Sequence, residues 1–276
     1  PMEEANIPSR HLGLVTAAES EHLSARFDAI AAELERYADL SALLHLAADV
    51  PCPEPMEKQE TRPARCRIAV AMDQAFSFYY QDNLDELETA GAELRYFSPL
   101  NDRVLPEADG LYLGGGYPEL YLSRLSKNET MRESIRRAIA GGMPTVAECG
   151  GFLYLQSALK DENGTLWPMV GALGGTGYGT DRLQRFGYLT LTGARDSLLL
   201  RAGEAVPAHE FHYWDCTDCG ADLTAIKANG RTWPCGFAGE RLYAAFPHFH
   251  WGGEIPMAAR FVQAAETYRE EKQHEA

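Results

Sequence analysis

The sequence predicts an α/β protein with a mostly parallel sheet and helices on both faces. Two observations carry that prediction. From about residue 67, short apolar runs alternate with amphipathic stretches long enough for helices. Two of those runs, Asp109–Leu113 and Thr145–Ala147, pass straight into glycine-rich turns, as strands do where they meet a helix or a ligand.

Residues 1–50 read as the carboxy-terminal remnant of another domain. Ile7–Val15 has the pattern of a loop feeding a short strand. Glu19–Leu40 has helical periodicity, with Leu23, Phe27, Ile30, Leu34 and Tyr37 on one stripe, and Ser41 is a plausible cap for a second helix to Ala48. Residues 51–66 carry Pro51, Pro53, Pro55 and Pro63 among charged residues, which is a linker composition. Residues 67–276 form the principal domain. Its predicted elements are a strand at Ile68–Ala71, a helix at Tyr79–Ala90 closed by Gly91, strands at Glu93–Phe97 and Asp109–Leu113, and a helix at Asn128–Ala140. The strand Thr145–Ala147 follows. Beyond Gly171 come shorter strand-like pieces, Phe186–Thr192, His209–Tyr213, Leu223–Lys227 and Arg241–Phe246, and then a closing helix, Ile255–Glu270. Gly174–Gly179 reads equally as an active-site loop or an ordinary connection.

A formal net charge of −15 argues against nucleic acid or an anionic membrane as the main partner. No apolar run has the length of a membrane span, and the amino terminus lacks a signal-peptide pattern. Six cysteines in 276 residues are too few for a disulfide scaffold, so the expected compartment is the cytoplasm. The Cys216-Thr217-Asp218-Cys219 pair stands without a second pair. It reads as free thiols rather than a zinc site, and no metal is expected.

The candidate chemistry centres on Ala147-Glu148-Cys149-Gly150-Gly151. A residue at a sharp strand-to-helix corner projects above the carboxyl end of the sheet, at a helix amino terminus that favours negative charge. A thiol there is expected to be partly ionised near neutral pH. Burial is the commoner fate of cysteine, but the paired glycines and the strand–helix context favour a nucleophile. Such a thiol needs a base. His209 and His212 lie in one candidate segment, His248 and His250 in another, and His248 at the end of a late strand is preferred. The Gly114-Gly115-Gly116 turn is either a plain tight turn or, with the N–H of Gly150, part of an oxyanion hole. Neither GxGxxG nor GxxxxGK[ST] is present.

Taken together, Gly114–Glu119, Ala147–Gly151, Arg182–Tyr188, His209–Tyr213 and the late His248-Phe249-His250 resemble the cobyrinic acid a,c-diamide synthase family of cobalamin biosynthesis. The likeness is to its carboxy-terminal, class I (triad) glutamine amidotransferase domain. Ser9–Val15 is similar to the end of the P-loop-type ATP-dependent synthetase domain. The resemblance implies that Cys149 attacks the side-chain amide of glutamine, with His248 as base and then acid. It also implies that His250 stands where related enzymes carry the glutamate of His-x-Glu, and that Gly115, Gly116, Gly150, Glu210 and His212 bind substrate or the oxyanion. Pro247 and Trp251 depart from the residues expected around the histidines.

Ammonia would then amidate the a and c carboxylates of a corrin, cobyrinate or hydrogenobyrinate. Mg²⁺ and ATP would be used in the complete synthetase and not bound by this chain. The implied partners are glutamine, the corrin carboxylate, an ATP-binding domain or subunit and a second copy in a homo-oligomer. The alternatives are a nickel-sirohydrochlorin a,c-diamide synthase, or a non-catalytic amidotransferase-like binding module of a split synthetase.

Overall fold

The computed structural model describes residues 15, 20, 22–48, 50–51 and 63–275. The chain divides into two compact units, Pro1–Gln59 and Glu60–Ala276. Of the strand predicted at Ile7–Val15, only Val15 lies among the described residues, and most of the proline-rich stretch lies outside them.

In the first unit, α1 (Leu23–Tyr37) begins later than the periodicity predicts, because His22 takes a left-handed conformation with φ 56°. The cap of α2 (Leu40–Ala48) is Asp39 rather than Ser41, its Oδ1 accepting the Ala42 N–H at 2.9 Å. No residue of either helix is buried.

The second unit opens with β1 (Cys66–Ala71), α3 (Gln81–Ala90), β2 (Ala92–Phe97) and β3 (Gly110–Leu113). A 3₁₀ turn (Pro118–Tyr121), α4 (Leu122–Lys127), α5 (Glu129–Ala140), β4 (Thr145–Glu148) and α6 (Gly150–Leu155) follow. Next come β5 (Ala158–Lys160), β6 (Leu166–Pro168), β7 (Thr176–Gly179), β8 (Arg185–Gly193), β9 (Ala205–His212) and β10 (Trp214–Cys216). The chain ends with β11 (Leu223–Ile226), β12 (Thr232–Cys235), β13 (Phe237–Ala238), β14 (Leu242–Ala245), β15 (His248–Phe249) and α7 (Met257–Glu275).

The central sheet has the order β13-β14-β4-β3-β1-β2, parallel except for β13 at one edge. Its inner strands are mostly apolar because helices cover both faces. Helices α3 and α7 pack on one face, with Leu84, Leu87, Phe261 and Val262 over Ile68, Val70 and Tyr112. Helices α5 and α6 pack on the other, with Met131, Ile135 and Phe152 over Leu111, Leu113 and Ala147.

Two smaller sheets, β10-β7-β5-β6 and β12-β11-β8-β9-β15, complete the unit. Gly174–Gly179 therefore resolves into a loop and a strand, β7. The two-residue β15 leaves the end of β14 and pairs antiparallel with β9, His248 opposite His209 and Phe249 opposite Ala208.

Candidate active site

Three strand ends converge at the carboxyl edge of the central sheet. Leu113 of β3 lies in register with Ala147 of β4, and Glu148 of β4 with Ala245 of β14. The chain leaves these strands as Gly114-Gly115-Gly116, Cys149 and Phe246-Pro247-His248, so the parallel register brings all three segments together.

Cys149 occupies the corner between β4 and α6 with φ 48° and ψ −102°. A non-glycine residue in such a region costs on the order of 1–3 kcal/mol, held here by surrounding bonds. Its N–H donates to the Ala245 carbonyl at 2.8 Å, and its carbonyl accepts the Leu153 N–H at 2.9 Å. The next two residues must be glycine because the backbone is crowded. A Cβ on Gly150 would lie 2.9 Å from both N and O of Gly116, and one on Gly151 would collide with the Leu113 carbonyl. The Gly151 N–H instead donates to the Gly114 carbonyl at 2.9 Å, locking the glycine turn to α6.

The triple glycine does two different things. Gly115 faces His248, and a Cβ there would stand 2.6 Å from the ring's Cε1. Its N–H is engaged with the Phe78 carbonyl at 3.3 Å, so the expectation that Gly115 supplies an oxyanion donor gives way to a steric role. Gly116 is different: its N–H has no backbone acceptor among the described residues, and it lies against Gly150 at the first turn of α6. The first N–H groups of a helix lack intrahelical partners, so the N–H groups of Gly116 and Gly150 form a neighbouring pair of available donors.

His248 is held from behind by Glu148. The ring Nδ1 lies 3.4 Å from Oε2 of Glu148, and the Phe249 N–H donates to Oε1 at 3.4 Å. The Tyr112 hydroxyl donates to the same Oε2 at 3.2 Å, and Tyr112 stacks on the buried Trp251. Glu148 is itself buried at 2% exposure. Burial by itself lowers the proton affinity of the His248 ring. Hydrogen bonding to Cys149 and Glu148, with their charges, overcomes that and raises its pKa to about 10.

The expectation that His250 orients His248 is not met. His250 is exposed, its Nε2 lies 3.0 Å from the Asp82 carboxylate, and its ring meets Tyr80 edge-on. The cause is Asn83, buried on α3. Its amide donates to the Phe249 carbonyl and accepts the Trp251 N–H, both at 2.8 Å. Pinned on either side, the backbone turns His250 outward while His248 points inward. Glu148 is the residue that sequence reasoning missed. The signal was a single carboxylate closing an otherwise apolar strand.

Glu210 and His212 lie on the buried face of β9 with Val206 and Ala208. His212 stacks on Phe246 at 3.9 Å between ring centroids, and its Nδ1 bonds the Trp214 carbonyl at 2.6 Å. Burial lowers its pKa to about 4 and raises that of Glu210 to about 7.

The CxxC also departs from expectation. Its three-residue separation places the two Cα atoms 5.6 Å apart, and Cys216 and Cys219 form a disulfide instead of standing as free thiols. The Asp215 carboxylate lies close by, with all three ligand atoms within 4.8 Å of one another, but the sulfurs are spent on each other.

A cysteine on a strand–helix elbow, a carboxylate-held histidine and paired N–H donors, on a parallel α/β sheet, are the parts of a cysteine-dependent acyl-transfer site. Residues 67–254 match the model of the CobB/CobQ-like glutamine amidotransferase domain, and the chain belongs to that family. It is 38% identical to the cobyrinate a,c-diamide synthase of Caldanaerobacter subterraneus subsp. tengcongensis, covering 90% of this chain and 56% of that protein. It is also 38% identical to the protein of that name from Salmonella typhimurium, covering 96% of this chain and 60% of the relative. The chain thus spans less than two thirds of the length of these curated relatives. A chain of the PurLQS structure from Thermotoga maritima shares the fold at 18% identity and a TM-score of 0.50, covering 74% of this chain and 98% of that one. Among the described residues, no helix is long and apolar enough to cross a membrane.

Proposed function

We propose that this chain is the glutamine-hydrolysing part of a cobyrinate a,c-diamide synthase, releasing ammonia for ATP-dependent amidation of the a and c carboxylates of a corrin. The observation that carries the reading is the meeting of Cys149 on its elbow with His248 held by Glu148.

The chemistry follows from the parts. His248 holds the proton it shares with Cys149, and Sγ attacks the amide carbon of glutamine. The N–H groups of Gly116 and Gly150 stabilise the negative charge that develops on the amide oxygen. As the C–N bond breaks, His248 returns the proton to the leaving nitrogen, giving ammonia and a glutamyl thioester. Water, deprotonated by His248, then attacks the thioester. Glutamate leaves and the thiol is restored, so glutamine and water become glutamate and ammonia. Glu148 holds the ring in the required tautomer through Nδ1 and stabilises the imidazolium, the task of the orienting carboxylate in a triad.

Activation of the corrin carboxylate with Mg²⁺ and ATP is assigned to the portion of the relatives that this chain does not span. Glutamate release from glutamine, measured on this chain and on Cys149→Ala, tests the reading. Release that depends on Cys149 is expected, and equal release by both proteins would overturn it. Corrin amidation is expected only when the ATP-dependent portion of a relative and Mg²⁺-ATP are added.

A further inference from the structure

We propose that Tyr79 is a positioning residue for the reaction: its hydroxyl fixes the glycine turn that presents the Gly116 N–H to the developing oxyanion. The inference rests on the glutaminase reading and adds what holds that donor in place.

Three consecutive glycines restrict their own backbone very little, so the geometry of Gly114-Gly115-Gly116 has to be imposed from outside. The segment that imposes it runs from Asp73 to Tyr79, between β1 and α3. Asp73 braces this segment. Its Oδ1 accepts the Ala75 and Phe76 N–H groups at 2.8 and 3.2 Å. Its Oδ2 accepts the Ser98 hydroxyl and the Leu100 N–H at 2.7 and 2.9 Å.

The pairing of β1 with β3 ends at Val70 opposite Tyr112. Just beyond, the Tyr79 hydroxyl bridges the two chains. It donates to the Ala71 carbonyl and accepts the Gly114 N–H, the latter at 2.8 Å. A carbonyl oxygen can only accept, so the hydroxyl proton points to Ala71 and a lone pair is left for Gly114. The ring fills the space beside Gly114, where an added Cβ would collide with it. The same ring meets Tyr112 edge-on at 5.1 Å between centroids, and the Tyr112 hydroxyl holds Glu148.

The rest of the turn follows from that anchor. The Gly114 carbonyl accepts the Gly151 N–H at 2.9 Å, and the Gly115 carbonyl accepts the N–H groups of Ser77 and Phe78, both at 3.1 Å. No peptide bond among the described residues is cis, and in a trans peptide the N–H points away from the preceding carbonyl. The Gly116 N–H is therefore turned away from Ser77 and Phe78, and its nitrogen lies against Gly150. The Tyr79 bond comes from a side chain, so substitution removes it without altering the main chain.

Two rates are measured for the unmodified chain and for Tyr79→Phe: glutamine hydrolysis, resolved into kcat and KM, and alkylation of Cys149 by iodoacetamide, read by peptide mass spectrometry. Alkylation displaces iodide at a saturated carbon and develops no oxyanion, so it reads the thiol and His248 but not the Gly116 donor. Loss of one oxyanion donor costs about 10²- to 10³-fold in kcat, and a displaced donor costs less. The expected result is a kcat lower by about 5- to 50-fold, with KM and the alkylation rate within about twofold of the unmodified chain. An unchanged kcat overturns the inference. So does an alkylation rate that falls in parallel with kcat, which would place the effect on the thiol or on the folded fraction. If Tyr79→Phe does not fold, Tyr79→4-aminophenylalanine is judged by the same outcomes, since its amino group still donates to Ala71 but accepts poorly. Failure of the glutaminase reading looks different: the unmodified chain releases no glutamate from glutamine. That result removes both conclusions, whereas a variant as fast as the unmodified chain removes the inference alone.

Discussion

His248 and His250 belong to one short segment and meet opposite surroundings. The ring of His248 lies inside, between Cys149 and a buried glutamate, with its proton affinity raised to about 10. The ring of His250 lies outside, against the exposed carboxylate of Asp82. The same residue type at a spacing of two acquires different chemistry because Asn83 fixes the backbone between them. The difference teaches that the orienting group of the site is defined by the strand it comes from and not by proximity in sequence. Glu148 enters from β4, a neighbour of β14 in the sheet, and reaches His248 across that register.

The largest effect expected from this contrast is on His248→Ala. Loss of a general acid–base group lowers kcat for glutamine hydrolysis by about 10²- to 10⁴-fold, read by glutamate release. Glu148→Gln comes next, with a loss of about tenfold or more. Because Glu148 raises the proton affinity of His248, the limb of the pH–rate profile governed by that ring is expected to move to lower pH in this variant. A merely structural glutamate would change the rate without moving the limb.

Stability offers a third test. His248 has its pKa raised from 6.5 to about 10 on folding, so its contribution is fully present below pH 6.5 and is lost as pH rises towards 10. The difference in unfolding free energy between the unmodified chain and His248→Gln is expected to shrink across that window in denaturant titrations. A difference that grew with pH would mean that burial, which lowers the proton affinity, outweighs the two hydrogen bonds. The smallest effect belongs to His250→Ala. An exposed pair of this kind contributes about 1 kcal/mol or less, so glutaminase rate and melting temperature should barely change.

Much of this arrangement was legible before any coordinates. The alternating pattern from residue 67 located β1 to β4 and the helices α3 and α5 to within a few residues, because β1, β3 and β4 are inner strands covered on both faces and mostly apolar, and β2 follows α3 after Gly91. The corner at Cys149 was legible from Gly150 and Gly151, whose missing side chains are required by the Gly116 backbone and the Leu113 carbonyl. The carboxylate partner of His248 was not. Glu148 and His248 are separated by 100 residues and meet only through the adjacency of β4 and β14, which periodicity does not specify. The short strands β5, β6, β10, β12, β13 and β15 were missed for a related reason. Two to four residues, often with glycine or proline beside them, carry too little alternation to stand out. The Cys216–Cys219 bond was missed because a lone CxxC has the same spacing whether it is reduced, oxidised or metal-bound.

The central claim is that a carboxylate from β4, and not the neighbouring histidine, holds the ring that serves Cys149. The most direct test is the kcat for glutamate release by Glu148→Gln set against that of His250→Ala in one assay at one pH. The account predicts that Glu148→Gln is slower than His250→Ala by about tenfold or more, with the latter close to the unmodified chain. Equal rates for the two variants, or a slower His250→Ala, would contradict it.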